Sequence, residues 1–295
     1  MPLVAEIAST IAPLLVIAGI GYGWGRSGRD FDTAIIGALV VNFGVPCLIF
    51  STLTRLDVSP QTFGVITGVF ALGTVINIFL AARVLKLMRL DPRVYLPASV
   101  FANSGNMGLP LCLFAFGNEG LVLAIGAFVV ASMGGVTFGI ALSSGRFSVG
   151  DVIKMPHLWV IAAALGFVLS DAEPPLWLAN TTRIIGDMSI PLMLLALGVS
   201  ISRLKVLSLG RSLKLAFLRL GLGFLIGLTL ATAFGLEGAA RGVLILQFSM
   251  PPAVMNYIIA ARYERSPDEV AGYIVVGTLL SFLTLPLLML VVLAG

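Results

Sequence analysis

Charge-free apolar stretches of membrane length follow one another along almost the whole chain. In the first half they cover Ile7–Gly25, Thr33–Leu53, Gln61–Ala82, Val94–Asn118 and Gly120–Gly145. In the second half they cover Met155–Ser170, Ile184–Ser202, Leu220–Leu236, Gly242–Ala261 and Val270–Ala294, with a single interrupting charge at Asp187. About 20 apolar residues span the hydrocarbon core as a helix. The alternating segments of roughly ten residues that mark a barrel are absent. Backbone groups in lipid must be satisfied within the segment, so the pattern predicts an all-α integral membrane protein with ten transmembrane helices. The first stretch opens after Glu6 rather than a basic region and is followed by Arg26, which does not fit a cleavable signal.

Composition agrees and adds orientation. The chain is 58% hydrophobic and 11% charged, with a mean hydropathy of +1.06, against about 25% charged residues in an ordinary soluble domain. The net charge of +4 is distributed by side rather than by patch. With ten helices and the N-terminus outside, the inner connections carry Arg26, Arg29, Arg83, Lys86, Arg89, Arg93, Arg146, Lys154, Arg203, Lys205, Arg211, Lys214, Arg262 and Arg265. The outer side carries only Arg55, Arg183 and Arg241, so fourteen stand against three. This bias puts both termini outside the cell membrane and accounts for the basic balance without nucleic acid. Two cysteines and one histidine do not suit a disulfide framework or a His/Cys metal site. No phosphate-binding Gly-rich Lys-Ser/Thr loop is present, so neither ATP hydrolysis, a cofactor nor a metal is expected.

Ten helices divide into five and five, and an odd number per half inverts one half relative to the other. The expected units are residues 1–146 and 147–295, joined by the connector Ser144–Met155. Ile35-Ile36-Gly37 leads to Pro46 in helix 2 as Ile184-Ile185-Gly186 leads to Pro191 in helix 7. Gly117-Asn118-Glu119 before helix 5 resembles Ser266-Pro267-Asp268 before helix 10 at a shift of 149, which also sets Asn103 opposite Pro252.

Candidate chemistry concentrates in helices 4 and 9. Helix 4 contains Asn103, Ser104, Gly105, Asn106, Gly108 and Pro110 in mid-span. Pro110 lacks a backbone donor and clashes with the carbonyl one turn earlier, near Asn106. Helix 9 contains Gln247, Ser249, Pro251, Pro252 and Asn256, and two consecutive prolines break a helix interior. Interrupted segments at corresponding places in two halves point to a transporter site. Freed amides and half-helix N-termini at mid-membrane favour an anion. Small residues that merely allow close helix packing are the alternative for Gly105 or Gly108 taken singly.

The same motifs carry a family resemblance. Asn103-Ser104-Gly105-Asn106-Met107-Gly108-Leu109-Pro110-Leu111 resembles the helix-4 signature of the auxin efflux carrier family. Asn42–Phe50, Ile190–Gly198 and Ser249–Tyr257 resemble its signatures in helices 2, 7 and 9. The resemblance implies the ten-helix fold shared with bile-acid/sodium symporters and sodium/proton antiporters. Helices 4 and 9 then cross at their breaks in a core, beside a scaffold of helices 1, 2, 6 and 7. It implies that Asn103 helps hold a substrate carboxylate, and that Pro251 is the family proline of helix 9. Plant members have a proline before the asparagine where this chain has Ala102, which implies a softer break here. Ser144–Met155 leaves no room for the long cytosolic loop of many plant members, and bacterial relatives of this kind are assigned small organic acids such as malate or malonate.

The expected function is therefore a secondary transporter, in the direction of export, of small organic carboxylate anions. The expected substrate-binding residues are Asn103, Ser104, Gly105, Asn106, Gln247, Pro251, Pro252 and Asn256, with Gly108, Pro110, Pro46 and Pro191 as helix-break or crossing residues. Candidate partners are the organic anion, the lipid bilayer, a proton as coupling ion and a second copy in a homodimer. Asp187 is the coupling candidate, with a local pair to Arg183 as the alternative. Arg219 is expected to snorkel inward with Lys214, and Glu6 and His157 to lie at the interface. A substrate-sensing receptor on a transporter fold is the alternative function. An intramembrane enzyme is a further one, for which the paired aspartates, His-Glu-x-x-His helix or Ser-His pair are missing.

Overall fold

The computed structural model of the chain describes residues 3–55, 59–144, 150 and 155–293. All regular elements among them are helical. In chain order they are α1 (Leu3–Arg26), α2 (Thr33–Leu39), α3 (Val45–Leu53), α4 (Pro60–Leu87), α5 (Pro92–Val100), α6 (Leu109–Gly134) and α7 (Ile140–Ser144). There follow α8 (Pro156–Leu169), α9 (Leu176–Asp187), α10 (Ser189–Arg203), α11 (Leu209–Ala233), α12 (Gly238–Phe248), α13 (Met255–Arg262) and α14 (Pro267–Leu293). The expected boundary at residues 146 and 147 lies outside the described residues, as do Arg146 and Lys154.

Seven helical stretches among the described residues are long and apolar enough to cross a membrane. The difference from ten has identifiable causes. The helix-4 and helix-9 stretches are each split in two, leaving short pieces on either side. α8 has only 14 residues. The apolar run Ser104–Ser143 counts once but is two helices joined by a kink at Gly117, whose φ of 62° and ψ of −151° suit glycine. Two helices also begin earlier than charge alone suggests. α9 starts at Leu176 and α11 at Leu209, so Arg183, Arg211, Lys214 and Arg219 lie inside helices.

Prolines shape the spans locally. π-helical turns at Val40–Gly44 and Ser104–Gly108 each stand two residues before a proline, Pro46 and Pro110. A wider turn takes up the clash that a proline ring makes with the carbonyl four residues earlier. Helix starts near the chain's polar ends are capped: the Asp32 carboxylate accepts from the Ala34 and Ile35 amides, and the Ser59 hydroxyl from the Thr62 amide.

α1 packs along α10, and α3 against α8 and α9. α11 packs against α4, α12 and α14, while α4 also packs against α5 and α6. The α1–α10 contact is backbone to backbone. A Cβ on Gly198 would stand 2.7 Å from the Tyr22 nitrogen and against the Ala18 carbonyl. Association in lipid relies on such close packing, because tails are as apolar as the side chains they would displace. Gly198→Ala should therefore cost about 1–3 kcal/mol, the range for forcing atoms into a filled contact. Gly19→Ala, where nothing lies within 4 Å, should leave the thermal unfolding midpoint in detergent unchanged or raised. Equal midpoints for the two variants would show that α1 and α10 are not locked at this glycine.

Candidate functional site

The two interrupted stretches meet. α5 ends at Val100 and passes into extended backbone, with Phe101 at φ −87° and ψ 102°. α12 ends at Phe248, and Pro251–Pro252 prevent its continuation. Ala102 and Pro252 form an antiparallel bridge. The Asn103 amide donates to the Pro251 carbonyl at 2.8 Å, and the Ala253 amide donates to the Phe101 carbonyl at 3.2 Å. Each break thus supplies the partners that the other lost. The sequence register set Asn103 opposite Pro252; the pairing is one residue away from that. The break at Ala102 is complete, not softened by the missing proline, because helix 9 completes it from outside.

Asn256 ties the joint. Its Nδ2 donates to the Phe101 and Ala253 carbonyls, both at 3.0 Å. Its amide nitrogen therefore serves the backbone of both breaks.

A cavity of about 700 Å³ opens beside this crossing, within the several-hundred-Å³ range of small-molecule sites. It extends to the ends of α2, α8 and α10 at Thr33, Pro156 and Arg203. Asn103, Ser104, Gly105, Asn106 and Asn256 line it. Asn103 is 3% exposed and Ser104 1%, and neither the Asn103 Nδ2 nor the Ser104 Oγ has a partner. No side chain caps the helix that starts at Ser104, nor α13, which starts at Met255. Two positive half-helix ends and two unpartnered polar side chains therefore converge on the cavity wall. Such a wall offers donors to an anion without a neutralising side chain. Arg203, exposed at the mouth, is the one permanently charged residue of the lining.

The remaining candidates lie elsewhere. Gln247, Pro251 and Pro252 are buried at the crossing but do not line the cavity. Gln247 fills the space left by Gly108, where a Cβ would stand 2.8 Å from its Nε2, and it donates to the Cys112 Sγ at 3.8 Å. Pro110 is buried at the start of α6. Pro46 and Pro191 sit in α3 and α10, away from the crossing, at the junctions that follow the Val40–Gly44 turn and Met188. Asp187 is exposed at the end of α9, outside the cavity lining, and forms no ion pair with Arg183.

His157 changes place most. Expected at the interface, it is 6% exposed, lines the cavity, and packs edge-on against Phe128 at a centroid distance of 5.5 Å. Neither ring nitrogen has a partner. Phe128 in turn covers Gly105, where a Cβ would stand 2.9 Å from its ring. The aromatic ring therefore links helix 4 to the histidine, a contact with no local sequence signal beyond His157 being the chain's one histidine. Among the described residues, no three His, Cys, Asp or Glu side chains come together to hold a metal.

Comparison with known proteins gives the same direction. The family described as membrane transport protein matches residues 6–158 and 148–289. An uncharacterized transporter of Methanothermobacter thermautotrophicus is 29% identical over 94% of this chain and 96% of its own length. An uncharacterized transporter of Methanocaldococcus jannaschii is 25% identical over 93% of this chain and 95% of its own.

The joint itself is testable without a substrate. Asn256→Ala removes two hydrogen bonds from a buried backbone junction, and should lower stability by about 1–3 kcal/mol at 0.5–1.5 per bond. Thermal unfolding of the purified protein in detergent reads this directly. An unchanged midpoint would mean that the backbone pairing alone holds the breaks.

Proposed function

The chain belongs to the membrane transport protein family, the auxin efflux carrier-like transporters, and on that premise we propose that it exports small organic carboxylate anions as a secondary transporter. The observation that carries this is the unpartnered Asn103 amide and Ser104 hydroxyl at an uncapped helix start in the cavity wall. The substrate carboxylate sits there, accepting from both side chains and from the first amides of the Ser104 helix. A buried anion held by several fixed donors needs no buried counter-charge beside it. His157, across Phe128, is the candidate carrier of a coupling proton within the wall; Asp187 stands outside that wall.

The proposed layout is ten spans in the cell membrane, arranged as two inverted five-helix repeats with both termini outside. The mutual pairing of the two breaks supports it, as does the basic bias of one set of connections. On that orientation the cavity mouth at Arg203 faces the cytoplasm, and this is the inward-open state of an alternating-access cycle. Serines and His157 both line the cavity, but neither His157 ring nitrogen has a partner, so no hydrogen-bonded Ser–His pair is formed there, which supports transport over catalysis.

Counterflow in proteoliposomes tests the reading with labelled malonate, malate, acetate and an indole carboxylate. One of these acids should exchange. For that acid, Asn103→Ala should weaken binding by about 1–3 kcal/mol, the range for a hydrogen bond to a charged group, with little change in stability. Normal affinity in both Asn103→Ala and Ser104→Ala would sink the proposed site.

The layout has its own test. Cysteines introduced beside Arg89 and Lys205 should react with impermeant reagents only from the cytoplasm, and one beside Asn118 only from outside. Labelling beside Arg89 from outside reverses the orientation.

A further inference from the structure

The crossing has a second face, away from the cavity, and polar side chains are buried there too. Arg219 of α11 is 1% exposed, so it does not snorkel to the surface. Its Nε and Nη1 have no partner. The ion pair found among the described residues joins Arg211 to Glu269, which leaves Arg219 without a carboxylate. A guanidinium does not give up its charge in proteins, and an unpaired cation in a membrane interior is costly and by default functional.

The surroundings show what attracts it. A Cβ on Gly223, one turn further along α11, would stand 3.0 Å from the Arg219 Nη1 and directly against the Phe248 carbonyl oxygen. The guanidinium and the last carbonyl of α12 therefore border one small space. No amide among the described residues donates to the Gln247 or Phe248 carbonyl, because α12 stops there. On the other flank, α11 packs against α5 and against α14, which carries Tyr273. The Tyr273 hydroxyl is hydrogen-bonded to the Ser99 hydroxyl at 3.2 Å, in the last turn of α5. Asn77 of α4 approaches the Ser99 carbonyl at 3.5 Å and leaves its own Oδ1 unpartnered. Arg219 thus sits behind the crossing, beside the C-terminal end of α12, on a helix that also packs against α5.

Each helix C-terminus carries about half a negative charge. The crossing is therefore bipolar: two positive ends open on the cavity, and the negative end of α12 lies behind it, beside Arg219. Unwound carbonyls and half-helix C-termini are where transporters of this build bind coupling cations. We propose that the Arg219 guanidinium is the resident counter-cation of this negative pole, taking the place of a bound metal cation and making the crossing independent of sodium. The proposal rests on reading the opposite pole as the anion site, but its test uses no substrate.

The test is thermal unfolding of the full-length protein in sodium chloride against choline chloride at equal ionic strength, with and without millimolar methylguanidinium. The parent should unfold at the same temperature in all conditions. Arg219→Ala should unfold at a lower temperature and regain much of the loss, saturably, with sodium or methylguanidinium, as a ligand of the native state does. Arg219→Lys, which keeps the charge, should be indifferent to sodium. Should Arg219→Ala not fold, Arg219→Gln replaces it, with sodium dependence in Arg219→Gln but not in Arg219→Lys as the expected result. A saturable sodium shift in the parent, or neutral variants that respond to neither cation, overturns the proposal. Anion binding at Asn103 is untouched by either result.

Discussion

A polypeptide in hydrocarbon cannot leave its backbone polar groups without partners, and each one left so costs several kcal/mol. An isolated break in a membrane helix is therefore unstable, and two breaks are stable only where they face each other. The bridge between Ala102 and Pro252, with the Asn103 and Ala253 amides donating across it, is that solution. The rest of the structure follows from holding it together. α4 and α11 enclose the crossing, and Asn256 bonds to both breaks at once. Gln247 fills the space beside Gly108. The prolines of helix 9 enforce its interruption, whereas helix 4 needs none at position 102, because its partner supplies the bonds.

Breaking two helices also separates charge. The N-terminal ends at Ser104 and Met255 face the cavity, while the C-terminal end at Phe248 borders Arg219 and the last turn of α5 bonds to Tyr273 through Ser99. Magnitudes indicate why such a site suits a carrier. A helix terminus stabilises an ion by about 0.3–2 kcal/mol, and a hydrogen bond to a charged group contributes about 1.5–3. A unit charge 4 Å away contributes about 4 kcal/mol even at an effective dielectric of 20. Several weak donors hold an anion without trapping it, and an arginine beside it would hold it much harder. The buried arginine stands behind the crossing instead.

Much of this was legible in the residues, and the failures have physical reasons. Apolar runs gave the helical class, and the polar, glycine and proline clusters of helices 4 and 9 located the crossing. Asn103, Ser104, Gly105 and Asn106 all reach the cavity wall. Gln247, Pro251 and Pro252 do not, because sequence shows that a segment is broken but not which side of the break is wet. His157 and Arg219 were misplaced for a related reason. Near a helix end, exposure depends on which neighbour covers the residue: Phe128 covers the histidine, and the end of α12 borders the arginine. Asp187, an intramembrane charge on paper, lies on an outer face. The span count differed because a pattern of hydrophobicity is blind to a break that keeps its apolar composition.

The cavity wall divides by chemistry along the same line as the packing. α2, the Val40–Gly44 turn and α10 contribute mainly apolar side chains, including Ile36, Val40, Val41, Leu192 and Met193. The crossing side contributes Asn103, Ser104, Asn106 and Asn256. Under the proposed transport reading, this asymmetry indicates which part can carry the anion. Donors fixed to the crossing can travel with it as a unit, since their geometry is held by hydrogen bonds within that unit. The facing wall forms few directional bonds that sliding would break, and apolar contacts can be exchanged one for another at little cost. An anion held from one side against an apolar wall can change its exposure without losing its partners. A site with donors divided between both walls would have to break them at every turnover.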